Sequence, residues 1–295
     1  MKSLIYRIST KLKFSILFLL VLGMNTTAWS QVGLKKIAQS TMNFQLVSIS
    51  PAASALGEAY SAIGKGAESI FFNPAGIVET ESQFEMRIFS TQWIADINYL
   101  AGALTWKSSN YGSIGLSFLT VDYGTLKGTS LISASEISLF PHGYKETGDF
   151  SAGANSIGLS YGKAVSHQFL VGGNLRFINQ NLGQSVLADG AKENDISKLA
   201  FDAGVKYYTI NKNFWFGMSI RNFSSNIKRE VLSEQLPLQF TLGIAMNVFE
   251  LVMPSLAQNN GLLLALDFQH PNNYTERVSL GLEYSLKNML MLRGG

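Results

Sequence analysis

The chain has 295 residues, of which only 15% are charged and 12% aromatic, with 27 Gly and no Cys. The lack of Cys excludes a disulfide framework, a thiolate metal site, a Cys nucleophile and a lipid anchor on an N-terminal Cys. Four basic residues lie within the first 13 positions, and removing them from the 23 Lys and Arg leaves 19 against 20 acidic residues. The rest of the chain is therefore close to neutral and offers no basic field for nucleic acid.

The first 30 residues have the order of a secretory signal peptide. A basic region at residues 2–13 precedes an apolar run at residues 15–23, and the small-residue site Ala28-Trp29-Ser30 follows. The apolar run is too short to cross a bilayer as a stable helix, so we expect residues 1–30 to be cleaved off after Ser30. An uncleaved N-terminal anchor is the alternative.

Residues 31–82 are predicted to form one N-terminal segment, whose central part at residues 51–78 is dense in Ala, Gly and Ser. Glycines and Pro74 within this part would break any long helix into short pieces. It closes on Asn73-Pro74-Ala75-Gly76, which favours a turn because Pro fixes φ and Asn can bond its own backbone. The composition predicts a broken, tightly packed plug of short helical pieces.

From residue 83 onward the chain repeats the pattern apolar, Gly, apolar, small or polar, apolar. Alternation along a strand places the large apolar residues of each copy on one face and the small residues on the other. A transmembrane antiparallel β-barrel turns the apolar face to lipid, whereas a soluble sandwich turns it to a second sheet. Segments of about ten residues with aromatic ends favour the barrel. The copies begin at Ile114, Ile157, Ala203, Phe216, Leu242 and Leu280.

The connections between the predicted strands alternate in length. Short turns are expected at residues 108–111, 166–168 and 210–213, and long polar loops at residues 124–154, 181–198 and 224–236. Outer-membrane barrels have short periplasmic turns and longer outside loops, so the N-terminal segment is expected on the periplasmic side. Residues 83–295 supply about eleven strands, and single-chain bacterial barrels close with an even number. We therefore expect a C-terminally incomplete copy of a barrel.

The segment Gly57-Glu58-Ala59-Tyr60-Ser61-Ala62, followed by Asn73-Pro74-Ala75-Gly76 and then by strands, resembles the FadL-like outer-membrane barrels. It is most similar to their PorV/PorQ branch, from the type IX secretion apparatus of Bacteroidetes. The likeness follows the mature chain in order, but its specific residues lie between positions 50 and 78. The residues of this predicted plug or hatch motif are Gly57, Ala59, Tyr60, Gly64, Asn73, Pro74, Ala75 and Gly76.

The resemblance implies a bacterial outer-membrane barrel of about 14 strands, of which about three would be missing here, with the N-terminal segment inside the lumen. PorV-type members serve protein secretion, so the implied partners are outer-membrane lipid, secreted cargo and proteins of the secretion machinery. FadL-type members instead pass hydrophobic small molecules, such as long-chain fatty acids, through the barrel wall. Loops shorter than those of classical FadL transporters favour the PorV/PorQ branch, and a hydrophobic molecule in the lumen is the alternative.

We expect no enzymatic activity, cofactor or metal. Gly158-Leu159-Ser160-Tyr161-Gly162 matches a nucleophile elbow in sequence, but that motif needs a strand-to-helix turn, and here it lies within a predicted strand. His142, His167 and His270 show no metal-binding spacing. Charged residues that face the lumen should be satisfied by one another, by water or by the plug. These are Asp202, Lys206, Arg221, Asp267 and Glu283. Whether Asn73-Pro74-Ala75-Gly76 is a fixed turn or the anchor of a movable hatch is left open by the sequence.

Overall fold

The computed structural model describes residues 40–187, 190–210, 213–229, 232–287 and 289–295. This part of the chain is all-β and is dominated by one antiparallel sheet of eleven strands, as the sequence predicted. The predicted signal peptide and the first residues of the N-terminal segment lie outside the described residues. None of the helices found in the described ranges is long and apolar enough to cross a membrane.

The N-terminal segment, as far as it is described, is residues 40–80 and consists of short pieces. Its one α-helix, Pro51–Ala55, starts with Ser50 as its cap, whose hydroxyl accepts a hydrogen bond from the N–H of Ala53 at 3.2 Å. Gly57 then takes a left-handed φ of 59°, which ends the helix. The remaining pieces are 3₁₀ turns at Asn43–Leu46, Gly66–Phe71 and Pro74–Glu79.

The strands follow one another around the sheet in chain order, each antiparallel to the next. The strands are β1 (Phe84–Gln92), β2 (Asn98–Ser108), β3 (Gly112–Leu131), β4 (Tyr144–Ala164), β5 (Phe169–Leu187), β6 (Gly190–Tyr208), β7 (Phe214–Phe223), β8 (Ile227–Arg229), β9 (Leu232–Glu234), β10 (Gln239–Asn247), β11 (Asn260–Pro271), β12 (Arg277–Leu286) and β13 (Leu290–Gly294). A separate two-stranded hairpin, β8 and β9, interrupts the order between β7 and β10, and a short helix, Val248–Val252, links β10 to β11. Among the described residues β1 and β13 each pair with one neighbour only, so they form the two edges of the sheet.

The short turns predicted at residues 108–111 and 166–168 are found where expected, and the third lies partly outside the described residues. Two of the predicted long loops are wrong. Residues 124–154 and 181–198 mostly continue as paired strands, so that β3 to β6 are 19 to 21 residues long rather than about ten. In the extension of β3 and β4, for example, Leu126 is opposite Phe150. A two-stranded ribbon exposed to water on both faces does not need apolar alternation, and its polar sequence therefore resembled a loop.

The predicted alternation of faces is confirmed. Ile114, Leu116 and Phe118 on β3 are 40%, 52% and 40% exposed, whereas Ser117 between them is buried. The large apolar side chains thus point away from the molecule on strand after strand. The buried core lies on the opposite face, between the sheet and the N-terminal segment, where Phe44 and Ile49 pack against residues such as Tyr99 and Ile178.

Candidate functional site

The N-terminal segment packs directly on the glycines of the repeated strand pattern. A Cβ at Gly217 would lie 2.6 Å from Cα of Ala62, and one at Gly115 would lie 2.6 Å from the side chain of Ile70. Only glycine permits this approach, because a side chain would overlap backbone or packed atoms. Five of the six pattern glycines contact the segment in this way: Gly115, Gly204, Gly217, Gly243 and Gly281. The sixth, Gly158, faces other side chains of the sheet.

Asn73 is the residue that fixes the end of the predicted motif. Its side-chain N–H donates to the carbonyls of Ser61 at 2.9 Å and of Val205 on β6 at 3.1 Å, and its Oδ1 accepts from the N–H of Ala75 at 3.1 Å. Asn73 is completely buried. It therefore joins both halves of the motif to one strand, with every hydrogen bond made inside the protein.

The rest of Asn73-Pro74-Ala75-Gly76 lies over neighbouring strands. A Cβ at Gly172 of β5 would lie 2.6 Å from the N atom of Ala75 and closer still to the carbonyl group of Pro74. Gly76 in turn packs against the carbonyl of Gly64 and the side chain of Ser69. The structure thus brings together Gly64, Pro74, Ala75 and Gly76, which the sequence had grouped only by resemblance.

The first half of the motif is held by Asp267 of β11. One oxygen of this buried carboxylate, Oδ2, accepts the N–H groups of Tyr60 at 3.0 Å and Ser61 at 2.8 Å. Trp215 of β7 donates its indole N–H to the carbonyl of Ala62 at 3.0 Å. Ala59 is fully buried in the same cluster as Trp215. The chain between Ala59 and Ala62 is therefore held to the sheet by both packing and hydrogen bonds.

Gly57 and Tyr60 have different environments within this half. Gly57, at its positive φ, lies against Gly295, which follows β13. Burial raises the pKa of the Tyr60 hydroxyl above its ordinary value, and the nearby Glu68 carboxylate raises it further. Glu58, between them, has φ of 67°, which is uncommon for a residue with a side chain. Strained backbone of this kind persists only where the surrounding structure holds it.

Each predicted inward charge has at least one partner, and three of them contact the N-terminal segment. One oxygen of Asp267, Oδ1, has no hydrogen-bond partner among the described residues. Lys206 is fully buried; it donates to the carbonyl of Gly64 at 3.0 Å and pairs with Glu79. Arg221 donates to the carbonyl of Gln45 at 2.9 Å. Asp267 accepts from Tyr60 and Ser61 as described.

The other two predicted charges pair with residues that sequence reasoning missed. Asp202 pairs with Arg176 at 2.7 Å, and Glu283 pairs with Arg293 at 2.6 Å. Arg176 occupies an inward position of β5, between the outward-facing Leu175 and Phe177. The alternation of faces along the strand could therefore have identified Arg176 as an inward charge. The Arg176–Asp202 pair is buried and neutralises its own charges, whereas Arg293 and Glu283 are partly exposed, at 30% and 19%.

The N-terminal segment crosses the sheet from one end of its strands to the other. At its start, Ser40 forms a bridge with Gln235, which lies in a long connection. At its end, Thr80 bonds to Thr105 at 3.2 Å and accepts from Lys107 at 2.7 Å, beside the short turn after β2. The sequence placed the segment on the periplasmic side, where the short turns are expected. Only the last part of the segment lies at the short-turn end of the strands.

Ser160 lies inside strand β4 and not at a strand-to-helix turn. Its buried hydroxyl donates to Oδ1 of Asn174 at 3.1 Å. His270 is at the end of β11, where Nδ1 is 3.0 Å from the carboxylate of Glu276. No group of three or more His, Cys, Asp or Glu side chains with metal-binding geometry occurs within the described ranges. The geometry around Ser160 differs from that of a nucleophile elbow.

No protein-family model matches the chain, and no curated protein matches it either. The fold and the site define an all-β protein whose N-terminal segment is packed on the small-residue face of a large antiparallel sheet. The function therefore has to be argued from that arrangement.

Proposed function

We propose that this protein is a bacterial outer-membrane β-barrel of the FadL-like type that acts in type IX protein secretion, as the resemblance to the PorV/PorQ branch implies. In this proposal the N-terminal segment is the plug of the barrel. The protein binds secreted cargo and proteins of the secretion machinery at the outer membrane. It carries out no enzymatic reaction.

The observation that carries the proposal is the exposed apolar face of the sheet. Large apolar side chains point outward along most strands, for example Ile88, Leu116, Ile157, Leu175 and Leu282, each between 44% and 62% exposed. Exposed apolar patches of more than a few hundred Å² are rare on soluble monomers and mark interaction surfaces. Outer-membrane lipid is the partner that fits a face extending over so many strands.

The contacts of the N-terminal segment support a sheet that curves into a barrel. Gly66 lies against the carboxylate of Glu85 on β1, at one edge of the sheet. Gly57 lies against Gly295 beside β13, at the other edge. Gly57 and Gly66 are nine residues apart, a chain length that spans at most about 32 Å. Eleven strands laid flat about 4.8 Å apart would extend over about 48 Å, so the sheet has to bend for the segment to reach both edges.

The interior favours partner binding over transport of a hydrophobic molecule. The cavity between the segment and the sheet measures about 50 Å³, below the roughly 300–1,000 Å³ of small-molecule pockets. A larger hollow of about 490 Å³ lies at the short-turn end and is lined mainly by polar residues, among them Asn247, Asn259 and Lys287. The smaller cavity therefore has too little volume for an acyl chain, and the larger one has too polar a lining. The extended ribbons of β3–β4 and β5–β6 offer polar surface for protein partners instead.

Deletion of the gene tests the function. We expect exported surface proteins to be lost while uptake of a long-chain fatty acid stays normal, with a plasmid copy restoring export. Normal export with lost uptake would instead establish the transporter alternative. A Ser160→Ala copy should restore export as well as the wild-type copy does, since Ser160 contacts only Asn174 among its described hydrogen-bond partners. Failure of that copy alone, with normal protein levels, would point to chemistry at Ser160.

The membrane location is tested separately. The mature protein should fractionate with the outer membrane and shift its gel mobility on boiling, as closed barrels in detergent do. A soluble product with unchanged mobility would end the barrel proposal.

A further inference from the structure

A polar cavity lies between the N-terminal segment and strands β5, β6, β7, β10 and β11. Its volume of about 50 Å³ has room for several waters, since one water needs roughly 10–15 Å³ of such space. The segment lines it with residues 45–49 and 70–72, Glu58 and Ser61. The strands contribute Leu119 of β3 and seven polar side chains, which include Asp267 and Gln269.

The charges that line this cavity do not balance. Arg176 and Asp202 neutralise each other through two hydrogen bonds, at 2.7 and 2.8 Å. The other charged residues in the lining are Arg221, Glu58 and Asp267, whose formal charges sum to one negative. Arg221 directs one N–H to the carbonyl of Gln45. An uncompensated charge in a buried site is costly, so either a bound cation or the protonation of a carboxyl is expected there.

Several polar atoms around the cavity have no hydrogen-bond partner among the described residues. Besides Ser48 Oγ and the donor group Gln45 Nε2, three are oxygens that can accept: Asp267 Oδ1, Gln269 Oε1 and Ser61 Oγ. All three residues are buried, at 1%, 3% and 4% exposure. Asp267 and Gln269 are two residues apart on β11 and so lie on the same face, and the N–H of Ser61 bonds to the other oxygen of Asp267. Unpartnered buried oxygens on neighbouring groups indicate a missing donor or cation.

We propose that this cavity binds a small monovalent cation, coordinated by Asp267, Gln269 and Ser61, with Glu58 supplying further negative charge. Carboxylate, amide and hydroxyl oxygens suit hard cations and ammonium groups. A monovalent ion matches the single excess charge, whereas a divalent ion would leave an excess positive charge. The proposal does not depend on the secretion function, because it concerns how the segment is held against the sheet.

The test measures thermal unfolding of the purified mature protein in detergent micelles at one fixed pH. Sodium, potassium and ammonium chloride are compared with N-methylglucamine chloride, whose cation is too large for the cavity, at equal ionic strength. A specific ligand at a hundredfold excess over its dissociation constant should raise the unfolding midpoint by about 5–10 °C. The salts also separate an alkali ion from ammonium. Identical midpoints in all four salts would overturn the proposal and leave a cavity filled by water or a protonated carboxyl.

Two variants locate the effect. Glu58→Gln removes the excess negative charge, and Asp267→Asn keeps an oxygen for Tyr60 and Ser61; both should lose the dependence on the cation. Glu81→Gln, at an exposed position before β1, is the matched control and should keep it. Cation dependence that persists in both cavity variants would place the ion elsewhere. If a variant does not fold, crystals of the wild-type protein grown with thallium(I) should show an anomalous peak in the cavity, and a peak only at other positions would contradict the proposal.

Discussion

Gly172 and Gly173 are adjacent on β5, and the same substitution should have opposite consequences at the two positions. Gly172 faces the N-terminal segment, where a Cβ would overlap the backbone of Pro74 and lie 2.6 Å from the N atom of Ala75. At Gly173 the nearest atoms would be 3.5 Å away, at the ring of Phe201, which is an ordinary contact. Neither glycine has a positive φ, so backbone strain does not distinguish them.

The magnitude follows from which atoms would have to move. Gly172→Ala inserts a methyl group against main-chain atoms that cannot change rotamer, so we expect the free energy of unfolding to fall by about 1–3 kcal/mol. Gly173→Ala meets no such overlap and removes the excess conformational freedom of glycine in the unfolded chain. It should change stability by less than about 1 kcal/mol, in the stabilising direction.

Urea unfolding of the two variants and the wild type in lipid vesicles measures both values. Trypsin cleavage after Lys65, whose side chain is 55% exposed, reports separately on loosening of the segment. It should speed up only in Gly172→Ala. Equal stability of the two variants would refute the reasoning that the segment is packed against the inward glycines.

Two further predictions concern charged groups. Lys206→Ala should lower the free energy of unfolding by about 3–5 kcal/mol, because it removes the buried ammonium group that pairs with the largely buried Glu79 carboxylate and leaves only the exposed Lys65, 4.0 Å away. The added change Glu79→Gln should recover part of the loss, and an additive double variant would contradict the pairing. At the tip of the β3–β4 hairpin, the Ser133 backbone N–H and, secondarily, Lys145 lower the pKa of Glu136 to about 2. Since this pKa is depressed on folding, the contribution of Glu136 to the hairpin tip is complete above about 4.5 and is lost as pH falls through about 2. A carboxyl NMR titration of Glu136 checks this, and a midpoint near 4.5 would contradict it.

The strands that have one packed or apolar face could be predicted from the amino-acid sequence alone. Alternation with a period of two is a local property, so Ile114, Leu116 and Phe118 indicated both the strand and its two faces before any partner was known. The breaks of the N-terminal segment were equally local, because Gly57 permits the left-handed φ that ends a helix and Pro74 fixes its own φ. The polar ribbons of β3–β6 were missed for the same reason, since they have no buried face to impose alternation.

The contacts of the inward face could not be predicted from the sequence, because they join residues that are far apart in the chain. Asn73 meets Gly204 and Val205, more than 130 positions away, and Tyr60 meets Asp267 across 207 positions. A recurring glycine in a strand indicates that another backbone or a ligand approaches closely. Which group approaches depends on the order and curvature of all the strands together. The path of residues 40–80 from one end of the sheet to the other, and the excess charge enclosed on the way, follow from that long-range packing and have no local signature in the chain.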